Sequence, residues 1–151
     1  MNATTETDRV RRNTAPEVNA RIDFKIAETV HRYAGRPASE ITRRIEEIER
    51  EWDIERLLET NASALALAGV LFSSVNRRWL VLSGAVLTFL FAHGTQGWCP
   101  PVPLFRRMGV RTRGEIDRER FALKFLRGDF NDIISDGTQV SSARLLEALR
   151  R

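Results

Sequence analysis

Three groups of residues have the types and spacing that chemistry requires. The first is the single cysteine, Cys99, in Gly97-Trp98-Cys99-Pro100. A thiol there could accept a sulfane sulfur, a disulfide partner or a palmitoyl group. No base adjoins it in the sequence. Arg106 could lower its pKa but cannot take its proton, and the plainer reading is a small residue at a helix end. One cysteine also rules out an intrachain disulfide and a Cys-only metal site. The second group is His93 with Gln96 one turn along, and Asn61 and Glu59 near the same depth on a preceding helix. Such a cluster either locks two helices by hydrogen bonds or lines a proton or ion path. Haem ligation would need a second histidine. His31 lies in another segment, so only a second copy could supply it. The third group is Glu51-Trp52-Asp53-Ile54-Glu55-Arg56. Glu51 and Glu55 share a helix face, and without a histidine they fit salt bridges to arginines better than a metal. None of the three makes a catalytic constellation. The chain therefore reads as a non-enzyme with no cofactor and no metal.

The elements that must position these residues centre on an apolar stretch. From Ala62 to Ala92 only Arg77 and Arg78 are charged. Residues 57–75 and 79–98 are each about 20 residues long, or about 30 Å as helices, which is enough to cross a hydrocarbon core. The short polar turn Asn76-Arg77-Arg78 makes them antiparallel neighbours. Trp79 and Trp98 would lie about 28 Å apart, one at each membrane interface. With the turn centred on Arg77, Gly69 should lie near Gly84 and Ala85. Small residues recur at helical spacing on both helices, allowing close packing in lipid or against a second copy. The competing reading is a buried hairpin in a soluble bundle. Lysines and arginines flank the hairpin on its open side, which places both termini in the cytoplasm and the turn outside.

The flanks carry the charge. Lys plus Arg against Asp plus Glu is 11 to 12 over residues 1–56 and 11 to 7 over 101–151, so the net +4 sits in the C-terminal third. A basic arm favours an anionic partner. Residues 1–16 are polar without period and read as a disordered tail. In residues 17–56, Val18, Ile22, Ile26, Val30 and Tyr33 form one helical stripe, stopped by Gly35 and Pro37. Ile41, Ile45, Ile48 and Trp52 form another, with Ser39 as N-cap. Glu40–Arg44 and Glu46–Arg50 stand in the favourable i,i+4 order. In residues 99–151, three prolines forbid continued helix. Thr112-Arg-Gly-Glu115 has the form of a capping box. The helix after it should end at Gly128 and expose Phe121, Leu123, Phe125 and Leu126. Arg106, Arg107, Arg111 and Arg113 are placed to meet the phosphates of anionic lipids. A helix packed on the N-terminal arm is the alternative. Leu145, Leu146 and Leu149 mark a last short helix over 142–151.

The segment from Glu51 to Phe130 resembles a family of small bacterial membrane proteins with the YgaP-like transmembrane domain, of unknown function. Asp53-Ile-Glu-Arg56, Asn61-Ala62, the arginine-bearing turn, Gly97-Trp98-Cys99-Pro100 and Met108-Gly109 carry the resemblance. It implies an inner-membrane location. Members of the family sometimes follow a rhodanese domain, but residues 1–50 lack the length and the catalytic Cys loop of one, so only Cys99 transfers, as a motif position without a role. The expected fold is all-α: a two-helix transmembrane hairpin with flanking amphipathic cytoplasmic helices. The expected role is structural, with lipid, a second copy or an unidentified protein as partner. The alternatives are a thiol-dependent component of sulfur or redox transfer, and a soluble helical protein that binds anionic partners. No nucleic-acid motif is present.

Overall fold

The computed structural model describes residues 8–131. Among the described residues the structure is helical throughout, with no strand. The helices are α1 (Arg9–Arg12), α2 (Pro16–Tyr33), α3 (Ala38–Glu49), α4 (Ile54–Phe72), α5 (Trp79–Gln96), α6 (Val102–Met108) and α7 (Arg113–Arg127). They fall into two compact units.

The first unit holds residues 8–24 and 52–115. Its main feature is the antiparallel pair α4 and α5. Asp53 starts α4 by accepting the Arg56 N–H at 2.8 Å, and the Ile54 N–H donates to the Arg111 carbonyl at 2.9 Å. Two of the N–H groups orphaned at a helix start are thus satisfied. At the turn the Asn76 side chain accepts the Arg78 N–H at 3.0 Å, and the Phe72 and Trp79 rings lie 5.5 Å apart. Between the helices the Ser83 hydroxyl donates to the Ala66 carbonyl at 2.9 Å. The helices approach closely at Gly69, since a Cβ there would stand 3.0 Å from the Trp79 carbonyl oxygen and overlap the Ser83 hydroxyl. The register is shifted by about a residue from the expected one. Gly69 faces Ser83 and Trp79, whereas a Cβ on Gly84 would meet nothing within 4 Å.

The expected pair of membrane-crossing helices is also corrected. Among the described residues only α5 is long and apolar enough to cross a membrane. The reason lies in the first turns of α4, which begins three residues earlier than expected and so includes Glu55 and Arg56 as well as Glu59.

The segment read as a tail is folded from Asp8 onward. The Asp8 carboxylate accepts the Arg11 N–H at 3.1 Å and caps α1. Val10 is 3% exposed and joins Ile54, Leu58, Cys99 and Val102 in an apolar core. The segment looks polar in sequence because its buried charged side chains are paired. The prolines after Trp98 end α5 and also begin α6. Pro101 is its N-cap and Pro103 lies in its first turn, where a missing N–H costs nothing.

The second unit holds residues 25–51 and 116–131. Ile41, Ile45 and Ile48 of α3 pack with Ile116 and Leu123 of α7, and Tyr33 adjoins them. This favours the alternative in which the basic helix packs on the N-terminal arm. Leu123, expected on the surface, is fully buried. The Arg44 guanidinium donates to Glu119 at 2.9 Å. Ser39 lies inside α3, whose N-cap is Pro37. Trp52 is off that helix, with the Arg56 guanidinium 4.5 Å above its ring. Gly128, with φ 90°, follows α7 as expected. The helix expected over 142–151 lies outside the described residues.

Candidate functional site

The first unit contains two sites of distinct chemistry, one polar and one apolar. The polar site centres on Glu115, which is fully buried. The capping box places it. The Thr112 N–H donates to Glu115 Oε2 at 2.9 Å, and the Glu115 N–H donates back to the Thr112 hydroxyl at 3.4 Å. The same carboxylate receives two guanidinium groups. Arg106 binds it in a fork, Nη1 to Oε2 at 2.6 Å and Nη2 to Oε1 at 2.7 Å. Arg11 adds a hydrogen bond from Nη1 to Oε1.

The second carboxylate, Asp23, accepts both Nη atoms of Arg11, at 3.1 and 2.7 Å. Two cations therefore face two anions. Polar groups take up the remaining donors of Arg106. Nη2 reaches the Asn19 side-chain oxygen at 2.8 Å, Nη1 the Val110 carbonyl at 3.0 Å and Nε the Thr14 hydroxyl at 3.3 Å. Burial acts to raise the Glu115 pKa. The Arg106 hydrogen bonds, the Thr112 N–H and the charges of Arg106 and Arg11 outweigh it, and the carboxyl lies below the usual range.

The basic residues expected to face lipid divide accordingly. Arg106 is fully buried and Arg111 is 8% exposed, so neither side chain is at a lipid-facing surface. Arg107 and Arg113 are exposed. A sequence reading misses this because Arg106 has the same local appearance as Arg107. Only the fold brings it to Asn19 and Thr14. The capping-box spacing was the one signal that pointed to Glu115.

The end of α5 is closed by the N-terminal segment. Gly97, at φ 74°, turns the chain off the helix, and its N–H returns to the His93 carbonyl at 2.8 Å. The Arg9 guanidinium then donates to the Gly94 carbonyl at 2.8 Å, and the Asn13 amide to the Gln96 carbonyl at 2.9 Å. A cation at the negative end of the helix dipole adds to these bonds.

The His93 cluster is not joined by hydrogen bonds. Asn61 is exposed and donates to the Leu57 carbonyl of its own helix at 2.7 Å. Glu59 is exposed. His93 is buried, and its Nδ1 has no hydrogen-bond partner. The structure thus leaves the expected interhelical lock to Ser83.

The apolar site is a pocket of about 370 Å³ walled by α4, α5, the 99–101 segment and α6. Ala62 and Leu65 form one side, Val86 and Phe89 the other, with Cys99 and Phe105 at the end nearer α6. No charged residue lines it, and Asn61 is its one polar side chain other than the thiol. Cys99 is 7% exposed, and burial pushes its thiol above the ordinary value. A protonated thiol with an apolar lining is a poor nucleophile. No protein family, curated protein or solved structure matches the chain.

Proposed function

We propose that this chain is an integral protein of a bacterial inner membrane whose α4–α5 hairpin enters the bilayer and whose flanking helices lie on the cytoplasmic side. Its role is structural, as a membrane-held platform for interaction with a second copy or another protein. The observation that carries the reading is the exposure of the most apolar helix. Only 11% of the Trp79–Gln96 span is buried. A core helix of a soluble bundle hides such a surface, and contiguous exposed apolar area marks contact with a membrane or a partner.

The exposure extends over both helices. Leu67, Leu71 and Phe72 of α4 are 53–63% exposed, and Val81 and Phe91 of α5 are each 74% exposed. The uncharged part of α4, Thr60 to Phe72, is about 20 Å long, while α5 is about 27 Å. Glu55, Arg56 and Glu59 then lie at the cytoplasmic head-group level, and Arg77 and Arg78 reach the far interface. The positive-inside rule favours this orientation, since the open side carries more arginines than the turn. The expectation of two full spans becomes one full span with a shorter companion.

The thiol-dependent alternative has less support, because Cys99 is buried, protonated and without a base. Fractionation tests the main reading. Membranes of cells expressing the full chain are washed with high salt and then with alkaline carbonate. Retention in the pellet until detergent is added is the expected result. Release by either wash would overturn it.

A further inference from the structure

The apolar pocket has no assigned occupant, and its chemistry restricts what one could be. Its roughly 370 Å³ lies within the size range of small-ligand sites. No lining residue is charged and Asn61 is the one polar side chain besides the Cys99 thiol, so the pocket offers no charged partner to an ion or a charged head group. An apolar recess of this kind favours an apolar guest over water. We propose that it holds one acyl chain of a bilayer phospholipid.

This inference rests on the membrane reading and adds a specific lipid to it. Two walls of the pocket are continuous with the exposed apolar surface, since Leu65 is 51% and Phe89 42% exposed. A chain entering from the hydrocarbon region therefore meets no charged residue of the lining. At the other end stands α6, whose Phe105 lines the pocket while Leu104 and Met108 are 60% and 71% exposed. A short helix with such residues beside the exposed Arg107 suits the head-group boundary. An acyl chain lying between that boundary and the hairpin has its head group where a phospholipid normally carries it. The buried Cys99 thiol lines the pocket at this α6 end.

The test places a diazirine-bearing residue at Leu65, which lines the pocket. A second protein carries it at Leu71, which is 63% exposed and outside the pocket. Each full-length protein is reconstituted in phosphatidylethanolamine–phosphatidylglycerol vesicles, extracted with mild detergent, washed, irradiated and weighed by mass spectrometry. The expected result is a phospholipid adduct severalfold more abundant at 65 than at 71 after washing. Filling the pocket by Ala62→Phe, or from the other wall by Val86→Phe, should remove the excess at 65. Equal adducts at both positions, or an excess that survives both fillings, would overturn the proposal and leave the membrane reading intact. A crosslink from 65 to a second copy or to residues 132–151 would assign the pocket to protein and overturn it too. Irradiation in vesicles before extraction gives the separate control. Absence of lipid adducts there at both positions would remove the membrane reading, and this inference with it.

Discussion

At Glu115 one carboxylate holds two buried guanidinium groups, the start of α7 and, through Arg11, the N-terminal segment. Ion pairs taken out of water gain little over a well-packed apolar substitute. Removing one partner is different, because the other charges stay buried without compensation. Glu115→Gln keeps the shape and removes the charge. It should destabilise the first unit by about 3–5 kcal/mol, the range for breaking a buried pair, measured by denaturant or thermal unfolding in detergent. The same residue predicts an acid limit. Its carboxyl is held below the usual range in the fold, so its stabilisation is complete above the unfolded value of about 4.3. It is lost as pH falls through the lower folded value. Unfolding curves of the native chain should therefore steepen against pH below about 4, and those of Glu115→Gln should not. Cys99 gives a second check at this scale. Buried and protonated, it should react with maleimide far more slowly in the folded protein than in denaturing detergent, and Cys99→Ala should fold normally. Rapid labelling of the folded protein from the cytoplasmic side would revive the thiol-dependent reading.

At the scale of elements, three glycines on or beside the hairpin make opposite predictions. Gly69 has no room for a Cβ beside Ser83 and the Trp79 carbonyl. Gly97 adopts φ 74°, and a Cβ there would lie 2.5 Å from the Arg9 Cβ. Gly84 has open space. Alanine at the first two should separate α4 from α5 or expel α1 from the end of α5, with a clear loss of stability. Gly84→Ala should be neutral or stabilising by up to about 1 kcal/mol, since glycine inside a helix costs roughly that much. Thermal melts of the three variants would rank them. These elements also show what the sequence could reveal. The capping box, the stop at Gly128 and the Ile41-Ile45-Ile48 stripe were legible because each depends on residues within a turn or two. The ordered α1 was not. Its stability comes from Arg11, Arg9 and Asn13 meeting groups more than 80 residues away, and nothing local distinguishes such charges from a solvated tail. The burial of Arg106 is hidden from the sequence for the same reason. Counting from the turn fixes the register only to within a residue or two, whereas Ser83 and Gly69 set the contact.

At the scale of the whole molecule, the membrane and soluble readings divide on what surrounds the exposed apolar residues. Leu87 lies at the middle of α5, is 53% exposed and does not line the pocket. In water an arginine there would be an ordinary surface substitution, within about 0.5 kcal/mol of neutral. At the centre of a membrane helix it costs about 2.5–3.5 kcal/mol on insertion scales. Leu87→Arg should therefore shift the protein from the carbonate-resistant pellet toward the released or degraded fraction. Arg78→Leu, at the turn, should leave retention intact, because it removes a charge from the interface and leaves the core unchanged. The comparison controls for misfolding in two ways. An arginine at exposed Phe24, which is 69% exposed and outside the hairpin, should leave membrane retention unchanged. Leu87→Arg protein recovered in detergent should retain its helical circular dichroism. If Leu87→Arg is retained as well as the native chain, the exposed face of α5 does not meet hydrocarbon. That face would then have to be covered by protein, and the oligomeric state in solution would identify the cover.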